Sequence, residues 1–236
     1  MNSLIALVPI KRESQRLPYK NSKLFAGRPL YHIVIDTLQR TPCISRIVIN
    51  TDAPEIAEDL LAHYDKVHIH PRPERLFGDF INANDLIAYD LSLLEGEHFF
   101  QTHCTNPLLT SQTIEKAAKQ YFDLLEQYDS MYSVNEIRAR VYDAHSNPVN
   151  HSLHELVRTQ DLPPVYEENS NMFLFSRTSF IHSGNHRIGR RPQPFPMHKI
   201  EGLDIDYPED FILAELVYRH KDLFGELLGY PQKNRI

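Results

Sequence analysis

Residues 5–10, IALVPI, place six apolar side chains in a row, with no polar residue to turn toward water on either face. A strand of this kind must be covered on both sides, as a strand inside a parallel sheet flanked by helices is, and no other stretch constrains the fold as much. The chain then changes character at once. Lys11, Arg12, Arg16, Lys20 and Lys23 stand against a single Glu13, so residues 11–23 carry +4 in a chain whose net charge is −6, leaving −10 for the remainder. In an open parallel sheet the ligand crevice lies beyond the carboxyl ends of the strands, so a basic loop after the first strand is where a small polyanion would sit. Taken alone, a charge run reads equally well as a solvated surface loop. Pro18 restricts this one, however, and Ser14 and Asn21 bring groups that can bond phosphate oxygens or backbone. The loop has neither a Walker A pattern nor G-x-G-x-x-G, so cationic side chains must do much of the cradling.

Behind this loop the periodicity alternates. Pro29 opens a helical pattern through Leu30, Ile33, Val34 and Leu38. A strand over 46–50, a helix over 55–64 and a strand over 66–69 follow, then a helix over 83–94 and a strand over 98–102. Thr110 caps a helix running to about Tyr128, and strands cover 129–134 and 171–175. The rhythm predicts an α/β fold with a mostly parallel, Rossmann-like sheet, in one domain spanning residues 1–236. At 236 residues and 42% hydrophobic, the chain can fill one well-buried core. Between 135 and 168 the periodicity fails, with Asn147-Pro148 and Pro163-Pro164 as breakers. So long an irregular stretch is either disordered or held by something outside the domain.

The remaining bulk properties narrow the classes. No window approaches the roughly 18 apolar residues of a membrane span, and the apolar start is too short for a signal peptide. A soluble, cytoplasmic protein with no membrane partner is expected. One local basic patch in an acidic chain argues against nucleic acid as a partner. Cys43 and Cys104 form no C-x-x-C motif and read as small apolar residues. His68 and His70 would share a strand face, but with no third ligand in the sequence a structural role is the better reading.

A second chemical feature closes the chain at residues 202–210, GLDIDYPED. On an extended strand, Asp204 and Asp206 present two carboxylates on one face while Leu203 and Ile205 turn into the core. Two hard oxygen donors beside phosphates suit Mg²⁺, which commonly takes one or two carboxylates plus substrate phosphate. Pro208, Glu209 and Asp210 also start a helix, so the pair reads alternatively as acids decorating a helix N-terminus. The basic loop tips the balance toward metal.

The spacing of Lys11, Ser14, Arg16, Pro18, Lys20 and Asn21, K-x-x-S-x-R-x-P-x-K-N, resembles the R-x-x-S-x-R-x-x-x-K-N signature of the acylneuraminate (CMP-sialic acid synthetase) cytidylyltransferases. Lys11 stands for the first arginine, keeping the charge but not the bidentate fork. Enzymes that activate keto-deoxyoctulosonate share a similar loop, so this stretch alone points to a superfamily. The resemblance continues at Arg72-Pro73 and near Asn82. Residues 103–108, HCTNPL, are similar to the family's Q-P-T-S-P-L, with His103 in place of glutamine. Residues 158–166 resemble R-x-Q-x-L-P-x-x-Y, and the last motif resembles I-D-I-D followed by an acidic helix.

That resemblance implies a fold of the nucleotide-diphosphosugar transferase type and the reaction of CTP with a sugar acid to give a CMP-sugar and pyrophosphate. It implies Lys11, Ser14, Arg16, Lys20, Asn21, Arg72 and Asn82 around the nucleotide, with Lys11, Arg16, Lys20 and Asp206 catalytic. It puts His103, Thr105, Asn106, Gln160, Glu167 and Asn169 near the sugar, and Mg²⁺ on Asp204 and Asp206. The excursion over 135–168 would make a homodimer. For His103, a neutral hydrogen-bonding role fits better than a proton shuttle. After Val165-Tyr166 the family continues R-P-N-G, its arginine gripping the sugar carboxylate, where this chain has Glu167-Glu168-Asn169-Ser170. A glutamate repels a carboxylate, so the acceptor is expected to differ from sialic acid or to sit differently; alternatively Glu167 turns to solvent and a cation such as Arg158 takes the carboxylate. Two rival readings are a D-x-D glycosyltransferase, which usually carries that motif in mid-chain, and a catalytically silent nucleotide-binding protein.

Overall fold

The apolar run at the start of the chain lies inside a seven-stranded sheet. The computed structural model describes residues 3–78 and 80–223, so the ends of the expected single domain, residues 1, 2 and 224–236, lie outside the described residues. Among the described residues nine strands are formed: β1 (Leu4–Ile10), β2 (Leu24–Phe25), β3 (Arg28–Pro29), β4 (Ile44–Thr51), β5 (Val67–Pro71), β6 (His98–Gln101), β7 (Ser130–Ile137), β8 (Val165–Ser176) and β9 (Pro192–Met197). The α-helices are α1 (Leu30–Arg40), α2 (Pro54–His63), α3 (Ala83–Leu93), α4 (Ser111–Asp123), α5 (Arg177–His182) and α6 (Pro208–Arg219). The sheet runs β5-β4-β1-β6-β8-β7-β9, and β2 and β3 form a separate two-stranded ribbon. β8 pairs antiparallel with both β6 and β7, and every other pairing in the large sheet is parallel.

Alternation along β1 explains its composition. Leu4, Ala6, Val8 and Ile10 enter a core layer with Val34 and Leu38 of α1, Leu60 of α2 and Ile114 of α4. Leu7 enters the opposite layer with Ile87 and Leu91 of α3 and Phe173 and Phe175 of β8. Both faces are covered, as a parallel strand requires. After β1 the chain crosses to β4 and β5 on one side and returns to β6 on the other, so the topology switches between β1 and β6. A ligand crevice is expected beyond the carboxyl ends of these two strands.

Several elements depart from the sequence expectations. The helix expected to reach Tyr128 ends at Asp123, because Leu124 leaves helical geometry. The turn that follows lets Asp129 accept from the backbone N–H groups of Arg190 and Arg191, at 3.0 Å each. The irregular stretch expected over 135–168 is shorter at both ends. Asn135, Glu136 and Ile137 pair with Glu167, Tyr166 and Val165, so β7 and β8 extend into it and only 138–164 lies outside the sheet. The polar run Glu167–Asn171 hides the strand from a hydrophobicity pattern. Ser170 adopts φ 54° in the left-handed region, and Ser133 opposite it accepts from the backbone N–H of Met172 at 2.9 Å where the ladder slips register. β9 is also absent from the periodicity, since Pro192, Pro194 and Pro196 alternate along it. It survives because it is an edge strand, with one neighbour, β7. Asp204 and Asp206 lie in an extended segment outside the sheet; Ile205 is fully buried, as expected, whereas Leu203 is only half-buried. No helix among the described residues is long and apolar enough to cross a membrane.

Candidate active site

The loop after β1 is shaped by its own side chains. Tyr19 takes a left-handed backbone, φ 52°, and introduces one 3-10 turn, Lys20–Ser22. Asn21 donates from Nδ2 to the Lys11 carbonyl at 2.9 Å, closing the loop on itself. Leu17 is buried with Phe25, Leu30, Ile205 and Phe211, which anchors the middle of the loop to the start of α1 and to α6. Arg12 turns away: its backbone N–H donates to Asp52 and its guanidinium pairs with Glu55 of α2 at 2.6 Å. That leaves Lys11, Ser14, Arg16, Lys20 and Asn21 along one side of a cleft of about 390 Å³.

The opposite end of the chain enters the same cleft. Ile205 donates from its backbone N to the Thr105 carbonyl at 2.9 Å, fixing the Asp204–Asp206 segment beside the loop that follows β6. The buried Lys20 ammonium donates to the Ile205 carbonyl and lies 3.5 Å from Asp206, which Arg16 also reaches at 2.6 Å. Burial pushes the Lys20 pKa down against the pull of Asp204 and Asp206. Burial raises the Asp204 carboxyl, opposed by a hydrogen bond from Thr105 and reinforced by the like charge of Asp206. Asn106 donates from Nδ2 to Asp204 at 3.3 Å, while its Oδ1 is buried without a hydrogen-bond partner among the described residues. At the head of α6, Asp210 accepts from the backbone N–H groups of Asp206 and Tyr207, so this acid is the inner member of a capping box with Tyr207 as N-cap, and Asp204 and Asp206 remain in the cleft.

Arg72 forms part of the far wall. It donates to the Asn50 side chain at 2.8 Å and to the Asn50 carbonyl at 2.9 Å. Asn50 donates in turn to Asp90, which also bonds His70 at 2.9 Å. His70 is thus built into the support of Arg72, while His68 is exposed. Among the described residues, no group of three or more His, Cys, Asp and Glu is placed to hold a metal ion. Asp204 and Asp206 alone would leave a metal ion short of ligands, so any ion there would have to take oxygens from a bound molecule as well.

The expected site residues divide. Lys11, Ser14, Arg16, Lys20, Asn21, Arg72, His103, Thr105, Asp204 and Asp206 line one cleft. Asn82, Asn106, Gln160, Glu167 and Asn169 are not among its lining residues. Asn82 is the N-cap of α3, accepting from the Asn84 N–H at 2.9 Å. Gln160 is exposed on the excursion. Glu167 is exposed on β8 and accepts from Asn135 at 3.0 Å. Asn169 is buried, bonded to Ser133 and Asn135. Arg158 is held by Asp161 at 2.7 Å. Cys104 and Ser170, from two of the segments singled out in the sequence, also line it, and Pro9, Gly78, Ile81, Ala83 and Leu86, which carry no chemical signal there, complete the wall. Such an arrangement, four cations and two carboxylates at the switch point of a parallel sheet, can bind a polyphosphate and neutralise charge developing on it.

Comparison with known proteins agrees with this geometry. The model of a family described as cytidylyltransferase matches residues 5–229. A CMP-N,N'-diacetyllegionaminic acid synthase from Legionella pneumophila is 28% identical, covering 90% of this chain and 94% of that protein. A pseudaminic acid cytidylyltransferase from Campylobacter jejuni is 21% identical, covering 93% and 99% respectively. Among solved structures, a CMP:2-keto-3-deoxy-manno-octonic acid synthetase complexed with CTP has the same fold, with TM-score 0.66 at 12% identity, covering 93% of this chain and 99% of that one.

Proposed function

The chain belongs to the cytidylyltransferase family, and we propose that it transfers the cytidylyl group of CTP to a sugar acid of the nonulosonate class, releasing pyrophosphate. The observation that carries this reading is the meeting of the basic loop with the aspartate pair, through Arg16 and Asp206 at 2.6 Å across 190 residues of sequence. The acceptor class rests on relatives of matching length that are named for legionaminic and pseudaminic acids, both nonulosonic acids.

In the reaction an acceptor hydroxyl oxygen forms a bond to the α-phosphorus as the bond to the bridging oxygen of the β-phosphate breaks; pyrophosphate leaves and the hydroxyl proton passes to water. Lys11, Arg16 and Lys20 hold the triphosphate and offset the charge that builds on the leaving group, and this positioning supplies most of the catalysis. Asn21 orders the loop through the Lys11 carbonyl, Ser14 lines the cleft beside the phosphates, and Arg72 lies toward the nucleoside. Asp204 and Asp206 would hold Mg²⁺ together with phosphate oxygens; when bound, the ion supplies charge neutralisation at the phosphates. The donor set fits, because two carboxylate side chains share one cleft, where burial and, less strongly, the like charge of Asp206 disfavour the charged form of Asp204, and a divalent cation would offset both. The enzyme works as a cytoplasmic homodimer whose excursion over 138–164 packs on the second copy.

The test is pyrophosphate release from CTP across a panel of nonulosonates and other 2-keto sugar acids. Release that requires both CTP and a nonulosonate is expected. Release indifferent to the acceptor, or confined to acceptors outside that class, would overturn the reading.

A further inference from the structure

Gln101, the last residue of β6, is 1% exposed and is held from both ends of its amide. Arg187 Nη1 lies 2.6 Å from Gln101 Oε1. A guanidinium has only donors, so the amide oxygen must face it. The amide nitrogen then points the other way, 3.1 Å from the Thr102 carbonyl and 3.0 Å from Nε2 of His103. Its two hydrogens are committed, one to each, and Nε2 of His103 must present a lone pair. A neutral imidazole that accepts at Nε2 carries its hydrogen on Nδ1. A doubly protonated ring would instead set one N–H against another.

We propose that His103 is a fixed hydrogen-bond donor, offering Nδ1–H to an oxygen of the acceptor sugar acid, with its tautomer imposed by Arg187 through Gln101. Gln101 and Arg187 are thereby positioning residues for the reaction. The identity of the ligand rests on the proposed cytidylyl transfer; the tautomer does not. His103 lines the cleft, and its Nδ1 has no hydrogen-bond partner among the described residues, so this is the hydrogen left to face a ligand.

The chain of donors has a firm base. Arg187 stacks its guanidinium 3.5 Å from the centre of the Phe173 ring, and its backbone N–H donates to Asn84 at 3.0 Å. Glu168, the nearest acid, is 3.8 Å away. Burial lowers the Arg187 pKa to about 10, which leaves it charged at neutral pH. Burial, with the positive charges of Arg187 and Lys20, holds the His103 pKa at about 3, so the ring is neutral whenever the cleft is in use. A ring in that state donates without exchanging its proton, which separates His103 from any role as a general base toward the attacking hydroxyl. None of this is visible in sequence, because Arg187 stands in the basic run HRIGRR, which reads as surface.

The experiment is a long-range ¹H–¹⁵N correlation spectrum of protein labelled in histidine, with the His103 signals identified by their loss in His103→Gln. Wild-type protein at neutral pH is expected to show His103 protonated at Nδ1 and bare at Nε2. Gln101→Glu replaces the donor by an acceptor of the same shape and is expected to move the proton to Nε2. Protonation at Nε2 or on both nitrogens in the wild type, or an unchanged spectrum in Gln101→Glu, overturns the relay. In steady-state kinetics His103→Gln, which keeps a donor, should hold KM for the acceptor within a few-fold. His103→Phe should raise it about tenfold, the scale of one lost hydrogen bond, with KM for CTP unchanged. Equal acceptor KM values in the two variants would overturn the donor role. If no acceptor supports turnover, the proposed reaction fails while the spectrum still decides the relay.

Discussion

Lys20 and Arg16 approach the same carboxylate from different environments, and that difference separates binding from stability. Lys20 is 7% exposed and bonds the Ile205 carbonyl as well as lying near Asp206, whereas the Arg16 side chain is 51% exposed. Arg16→Ala is expected to lower kcat by about two orders of magnitude, as loss of a preorganised charge donor does. Its urea midpoint should stay nearly fixed, because an exposed ion pair contributes at most about 1 kcal/mol. Lys20→Ala should lower kcat similarly and also shift the midpoint downward, since it strips the carbonyl of the buried Ile205 of its donor, while Asp206 keeps Arg16. Equal midpoints for the two variants would contradict the buried placement. His103 gives a pH signature. The unfolded chain binds a proton there near pH 6.5 and the folded protein only near pH 3, so acidification between those values favours unfolding. Between pH 7 and pH 5 that costs up to ~2 kcal/mol. His103→Gln should therefore lose less stability than wild type over this interval in denaturant titrations, and an identical pH dependence would refute the neutral ring. At this scale the sequence was informative where chemistry is written as spacing, as in Lys11 to Asn21 and Asp204 to Asp206. It was silent where the environment decides, because the state of His103 depends on Gln101 and on Arg187, which only the fold brings together.

Among the elements, the segment that carries the aspartates depends on α4. Glu201 is buried and accepts from the Thr110 N–H, the Thr110 hydroxyl and the Thr113 hydroxyl, at 2.8 Å each, at the N-terminus of that helix. Glu201→Ala is expected to destabilise the protein by roughly 2–3 kcal/mol, the worth of hydrogen bonds to a buried charged group, and to lower kcat together with stability, because Asp204 is only three residues away. Asp206→Asn should behave oppositely, abolishing turnover while the thermal midpoint holds, since no core cavity opens. Matching losses of stability in the two variants would undo the distinction between anchor and site. Thr110 was legible as a cap because capping is local; Glu201, its partner 91 residues later, was not. The same reason explains β8 and β9. Residues 167–171 of β8 are polar and every second residue of β9 is a proline, and what makes these stretches strands is a neighbour already in place, Ser133 bridging the slipped register of β8 and β7 supporting the edge of β9.

For the molecule as a whole, the parallel core and its switch point were legible from the alternation of apolar runs, and the excursion was visible only as a failure of pattern. In the structure the excursion over 138–164 exposes Leu156 at 93%, Leu153 at 65% and Val149 at 57%, apolar surface that a second copy would cover. Leu153→Asp combined with Leu156→Asp is expected to convert a dimer to a monomer in light scattering, and a wild-type monomer at working concentration would contradict that assembly. The claim on which the rest depends is that one cleft, built from the two ends of the chain, joins CTP to a nonulosonate. The most direct measurement is ³¹P NMR of the protein mixed with CTP, magnesium and a nonulosonate acceptor. The triphosphate signals are expected to give way to pyrophosphate and a single phosphodiester resonance of a CMP-sugar, and Asp206→Asn is expected to leave the CTP signals intact. Persistence of CTP with every nonulosonate tried, or its conversion at an unchanged rate in Asp206→Asn, would contradict it.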